Sequence, residues 1–162
     1  MLTNTRTEAL RHDLRKLSGL MSGLLTFAGL TVFAEGLYNP IKRLVVGLPQ
    51  DAGTALHLFH DQVMPLLPAL LLLGALNEAR RLFARMGDGE LLAPATATGV
   101  RHTGDWVLAA AITAAFVDAV ASALHPGWAL LGGLAAIGLG LRSLGDVLDH
   151  AAAIKADHDQ IV

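Results

Sequence analysis

Leu17–Leu37 reads LSGLMSGLLTFAGLTVFAEGL, and Glu35 is its only charged residue. A helix that crosses the hydrocarbon core of a bilayer needs about 20 consecutive apolar residues, and this stretch supplies them. Three later stretches share its character. The spans read from the sequence are about 17–37, 57–82, 106–124 and 128–148. The second has a short uninterrupted oily part, from about Val63 to Leu76, and takes in polar residues at its ends. The third contains Asp118, and the fourth contains Arg142 and Asp146. Barrel strands would alternate apolar and polar residues, whereas Leu70-Leu71-Leu72-Leu73 and Ala109-Ala110-Ala111 do not. Lipid offers no partner for open backbone groups, so each span must be helical. The expected fold is all-α: one domain over 1–162, a polytopic membrane protein with four transmembrane helices in an up-down bundle.

Composition points the same way. Of the 162 residues, 53% are hydrophobic and 16% are charged, against roughly 25% charged in a soluble domain. Disorder needs low hydrophobicity and high charge, so it is excluded. The absence of cysteine excludes a disulfide framework, a zinc–thiolate site and an iron–sulfur cluster. A net charge of -2 leaves no footprint for direct nucleic-acid binding. There is no phosphate-binding glycine loop, no nucleophile elbow and no His-Glu-x-x-His metalloprotease motif. None of these motifs marks an enzyme, and the leading reading is a non-enzymatic interaction or regulatory module.

Arginine and lysine set the expected orientation. Arg6, Arg11, Arg15 and Lys16 precede the first span. Arg80, Arg81, Arg85 and Arg101 flank the connection between the second and third spans, at 83–104. Lys155 lies in the polar tail, 151–162. The outer connections carry only Lys42 and Arg43, and the turn His125-Pro126-Gly127 carries none. Both termini and the central connection are therefore expected in the cytoplasm. The basic N-terminus does not read as a cleaved signal, because the following apolar run is longer than a usual signal core and Ala34-Glu35-Gly36 is a poor cleavage site. Tyr38 and Trp128 mark the outer interface and Trp106 the inner one, the depths that amphipathic aromatics favour. Glu78 is placed to pair with Arg81 on one helix face. Gly87-Asp88-Gly89 ends that helix, and the tail after Ala151 continues the fourth.

The central connection carries a family resemblance. Glu78-Ala79-Arg80-Arg81-Leu82-Phe83-Ala84-Arg85, then Gly89-Glu90-Leu91-Leu92, then Val100-Arg101 and Gly104, resemble a bacterial family of four-span membrane proteins catalogued as domain of unknown function 2975. The ending Asp157-His158-Asp159-Gln160-Ile161-Val162 also resembles that family's acidic tail. The resemblance covers the chain from the second span to the C-terminus, and it departs from the family at Leu92, where an aromatic is usual. It implies a multi-pass protein of the bacterial inner (cytoplasmic) membrane with no assigned activity. It also implies a cytoplasmic protein partner, because family members are often encoded beside small helix-turn-helix regulators. The interaction surface that follows is Arg80, Arg81 and Arg85 with the acidic tail.

A second class of function rests on ionisable groups near the outer ends of the spans. His57, His60 and Asp61 share one helix face by spacing, and Glu35 and Asp118 fall at a similar depth. Imidazole and carboxylate together suit a divalent metal, zinc or copper. The competing reading is a wet vestibule in which these groups pair with Lys42 or Arg43. Haem b is a further alternative, with His12 and His150 at the inner end and His57, His60 and His125 at the outer, but no span carries a histidine well inside the hydrocarbon. A small transporter is a third class, for which no span is broken in a matching position.

Within the spans, Asp118, Arg142 and Asp146 are the polar residues that call for an explanation, since charge there is costly. Arg142 and Asp146 stand four apart, the spacing of an ion pair within one helix. The functional reading is a relay with Asp118. The favoured reading is an arginine that reaches the inner interface and fixes helix rotation. Gly19 and Gly23, Ser18 and Ser22, and Gly132, Gly133, Gly138, Gly140 and Gly145 permit close helix approach in lipid. Packing within the chain is favoured over a homo-oligomer interface. Pro65 and Pro68 are expected to kink the second span.

Overall fold

The computed structural model describes residues 2–38, 41–42, 45, 63–88, 93–120 and 128–159. Four long helices account for its architecture: α1 (Leu2–Phe33), α2 (Leu66–Gly87), α3 (Pro94–Val120) and α4 (Trp128–Asp159). A π-helical turn, Ala34–Tyr38, closes α1. No strand occurs among the described residues, so the all-α expectation holds.

Each helix packs on its neighbours in the chain: α1 on α2, α2 on α3, α3 on α4. Among the described residues the first and last helices share no comparable interface. The expected up-down bundle is therefore an up-down row, with α1 and α4 at its two edges. Direction follows from the contacts. Arg15, early in α1, meets Asp88 after the end of α2 at 3.5 Å. Gly36, at the other end of α1, is buried against Leu66 at the start of α2. Gly74 lies under the Trp106 indole and Gly99 under Leu82, which runs α3 antiparallel to α2. Gly104 meets Gly138 and Gly145 meets Ala97, which runs α4 antiparallel to α3.

The core sits mostly on α3, which like α2 has a neighbour on either side. Ala97, Val100, Val107, Ala110 and Ala111 are buried there, with Thr96 and Thr103. These are small side chains at helical spacing, and they let backbones close together. Threonine hydroxyls are satisfied inside their own helices: Thr103 donates to Gly99 O at 2.9 Å and Thr113 to Ala109 O at 2.8 Å. This i−4 bond hides a hydroxyl where water is absent. Large apolar residues point outward instead. Leu20 is 72% exposed, Phe27 70% and Leu130 75%.

Helix boundaries depart from the sequence expectations in three places. First, α1 does not start near residue 17. It runs unbroken through the basic tail from Leu2, 32 residues or about 48 Å at the helical rise. Leu2–Leu14 has few breakers, so charge alone does not interrupt it. Second, Pro65 and Pro68 do not kink a helix interior. Pro65 caps α2 with φ −65°, and Pro68 falls in its first turn, where the missing N–H has no intrahelical partner to lose. Third, only two segments among the described residues are long and apolar enough to cross a membrane, His12–Tyr38 and Leu130–Asp157. In α2 the oily run from Leu66 to Leu76 gives way to Asn77, Glu78, Arg80 and Arg81, and the first half of α3 carries Arg101, His102 and Asp105.

Other expectations stand. Helix α2 ends at Gly87, where the Asp88 N–H reaches Ala84 O, Arg85 O and Met86 O. The tail past Ala151 continues α4 to Asp159.

Candidate functional site

Antiparallel packing gathers the basic residues at one end of the row. The start of α1, the end of α2, the start of α3 and the end of α4 meet there, bringing Arg15, Lys16, Arg80, Arg81, Arg85, Arg101, Arg142 and Lys155 to that end. Half of these cations hold the row together by bridging one helix to the next element. Arg15 bridges α1 to Asp88 at 3.5 Å. Arg85 donates to Ala95 O at 3.5 Å, across the α2–α3 connection. Arg81 pairs with Glu78 at 3.6 Å, as the spacing predicted. Arg80 differs from these: its Nε is buried and has no hydrogen-bond partner among the described residues.

Arg142 and Asp146 do not pair with each other. Arg142 reaches across to Asp105 on α3 at 3.1 Å, and Arg101 on α3 reaches Asp146 at 3.8 Å. The reason lies in the seam between the helices. A Cβ on Gly104 would stand 2.7 Å from Gly138 O, and one on Gly145 would stand 3.0 Å from Ala97 O. Backbones this close bring the side chains one turn away within reach of the opposite helix. The sequence held a signal for this that spacing within one helix misses. Helix α3 carries Arg101-x-x-x-Asp105 and α4 carries Arg142-x-x-x-Asp146. Laid antiparallel, each arginine faces the other helix's aspartate. Both pairs are about half exposed, so each contributes about 0–1 kcal/mol and serves chiefly to fix register.

The relay from these residues to Asp118 is not assembled. Asp118 lies thirteen residues beyond Asp105 along α3, about 20 Å at the helical rise. It is half-buried and makes no ion pair among the described residues.

At the opposite end, Glu35 and Asp118 occupy α1's terminal turn and the last turns of α3. They share an end of the row but not a site, because α2 packs between their helices. Glu35 lines a small cleft with Thr31, Gly36, Pro65 and Leu66. His57, His60, Asp61 and His125 lie outside the described residues. Among the described residues no three metal-ligating side chains come together.

The small residues divide into two sets. Gly104, Gly138 and Gly145 are consumed by the α3–α4 seam, in line with packing inside the chain. Gly19, Gly23, Gly132, Gly133 and Gly140 have nothing within 4 Å of a Cβ position. They lie on the outward faces of the two edge helices. No family model matches the chain, and no curated protein or solved structure matches it either.

Proposed function

We propose that the chain spans the bacterial inner membrane four times, with both termini and the α2–α3 connection in the cytoplasm. It works there as a non-enzymatic interaction or regulatory module. Its working surface is the arginine-bearing end of the row, centred on Arg80, Arg81 and Arg85. The observation that carries this reading is the inverted distribution of side chains. Buried positions are mostly alanine and glycine, while leucine, isoleucine and phenylalanine face outward along all four helices. Soluble monomers seldom expose contiguous apolar surface beyond a few hundred Å², and lipid removes that cost.

Helix length supports four spans rather than two. Helix α2 has 22 residues and α3 has 27, about 33 and 40 Å at the helical rise, against a hydrocarbon core of about 30 Å. Helix α3 needs less apolar surface than the edge helices because both its flanks are covered, and its Arg101 and Asp105 are paired. The excess of arginine at one end assigns that end to the cytoplasm. The partner is a cytoplasmic protein, and the resemblance to the four-span family directs attention to a small helix-turn-helix regulator.

Two measurements test the reading. A protease site inserted at residue 90 is cleaved in inverted membrane vesicles and protected in intact spheroplasts; cleavage from the outside reverses the orientation. Co-purification of a cytoplasmic protein is lost when Arg80 and Arg81 are both changed to glutamate. Retention of that protein removes the arginine surface from the proposal.

A further inference from the structure

The two edge helices of the row each leave one face bare, and the two faces are matched in size and in charge. On α1 the face turned away from α2 carries Lys16, Gly19, Leu20, Gly23, Phe27 and Leu30, all exposed. On α4 the face turned away from α3 carries Gly133, Ala136, Gly140, Ser143 and Val147, also exposed. Contacts across the row fix their relative heights. Arg15 meets Asp88, Leu82 covers Gly99, and Gly145 meets Arg101. Counting along the antiparallel helices from these contacts sets Gly19 level with Val147, Gly23 with Ser143, Phe27 with Gly140 and Leu30 with Ala136, to within about a turn. Large side chains on one edge stand at the height of small ones on the other. The charges are matched too. Residues 2–16 of α1 carry four cations, Arg6, Arg11, Arg15 and Lys16, against Glu8 and Asp13. Residues 147–159 of α4 carry Asp149, Asp157 and Asp159 against Lys155 alone. Both stretches lie at the arginine end, but α2 and α3 stand between them within one molecule.

We propose that a second copy of the chain extends the row, its α1 seated against α4 of the first in the antiparallel order that the four helices already follow. The proposal rests on the four-span reading, because a bilayer holds every copy at one depth and in one orientation. Residues level within a molecule are then level between molecules. At that height the basic start of α1 meets the acidic end of α4. Phe27 and Leu30 meet Gly140 and Ala136, while Gly19 and Gly23 meet Val147 and Ser143. Small residues at such positions let backbones close together in lipid. A two-fold contact between like edges fits worse. It sets α1 parallel to α1, with Lys16 opposite Lys16 and Phe27 opposite Phe27, or α4 parallel to α4, with aspartate opposite aspartate. Like charges placed together suppress a wrong pairing, and opposite charges select the right one. The contact is head-to-tail, so each copy keeps one edge free unless the assembly closes as a ring.

The chain contains no cysteine, so introduced cysteines report this contact alone. Full chains carrying Gly23→Cys and full chains carrying Ser143→Cys are mixed and reconstituted in vesicles of phosphatidylcholine and phosphatidylglycerol. The vesicles are washed with alkaline carbonate and oxidised with copper phenanthroline. Release into the wash ends the spanning reading and this proposal with it. In chain that stays, the expected product is a disulfide-linked dimer from the mixture and none from either variant alone. Gly19→Cys mixed with Val147→Cys gives the same result, whereas Gly19→Cys mixed with Gly133→Cys, about 21 Å apart in depth, gives none. Adding Gly140→Leu to the Ser143→Cys chain puts a side chain where Phe27 must enter and abolishes the link. Asp157→Lys in that chain lowers the yield about two- to fivefold, the range of one exposed ion pair. A dimer from either variant alone overturns the proposal in favour of a two-fold contact between like edges. Absence of any link in retained chain overturns it with the four-span reading intact, leaving lipid against both edges. A link that Gly140→Leu or Asp157→Lys leaves unchanged marks chance collision and overturns it too.

Discussion

Replacing Gly138 with alanine probes the seam on which the α3–α4 register depends. The new Cβ would stand 2.9 Å from Leu108 N, 3.0 Å from Gly104 O and 3.2 Å from Leu108 Cα. All three are backbone atoms, so no side chain can swing aside and the two helices must move apart. Overpacking of this kind costs about 1–3 kcal/mol. The same substitution also gains about 1 kcal/mol of helix propensity, which leaves a net loss of about 0–2 kcal/mol. Gly140 supplies the control. It lies two residues further along α4 and has nothing within 4 Å of its Cβ position, so Gly140→Ala receives the propensity gain without the clash. The difference between the variants isolates the packing cost, about 5- to 150-fold in the unfolding constant. The assay is a titration with sodium dodecyl sulfate in mixed micelles, followed by Trp106 fluorescence in a Trp128→Phe background. Trp106 sits on α3, the helix that both inner seams share. Coincident midpoints for Gly138→Ala and Gly140→Ala would refute the close approach, and with it the account of the crossed ion pairs.

The Arg142–Asp105 pair is expected to show a coupling of about 0.5–1 kcal/mol in a double-mutant cycle with Arg142→Gln and Asp105→Asn, shrinking as salt is raised; no coupling at low salt would mean that the pair does not form. Asp146→Asn should couple to Arg101→Gln and not to Arg142→Gln, and the opposite result would restore the pair within α4. Gly36→Ala should destabilise the α1–α2 contact by about 1–3 kcal/mol because Leu66 fills the space its Cβ would take; Leu66→Ala in the same chain should recover part of the loss, and two purely additive losses would count against the contact. Leu82→Ala should cost about 2–3 kcal/mol, the lower part of the range for a buried leucine, since Leu82 packs over Gly99; a change within error would place Leu82 at the surface.

The helical character of the chain was legible because it depends on runs of residue type. Long apolar stretches without alternation leave few other conformations, and Gly87-Asp88 marked the end of α2 because glycine and a C-cap turn act locally. Pairing between helices was not legible from one helix at a time. Arg142 has an aspartate at the right spacing on its own helix, and that local choice concealed Asp105, which lies 37 residues away in sequence. What decides between them is how near the two backbones come, and this is set by Gly104, Gly138 and Gly145 acting together. Of these, Gly104 reads in the sequence only as part of the connection leading into the third span. The prolines misled for a related reason. Proline in an apolar run breaks an interior but suits a first turn, and the difference depends on where the helix begins. The candidate site was legible as an accumulation of arginine at one end, whereas the division into bridging cations and others, with Arg80 Nε left without a partner among the described residues, required the fold.

A row has a consequence for assembly that a closed bundle lacks. Among the described residues every extensive contact joins helices that follow one another in the chain, so no helix waits for a distant one to complete its packing. Each can dock as synthesis delivers it, and the loop entropy lost at each docking is that of the one connection between sequence neighbours. If the chain spans the membrane as proposed, it can enter the bilayer as successive hairpins, with the α3–α4 clasp closing last and without reopening what α1 and α2 have already made.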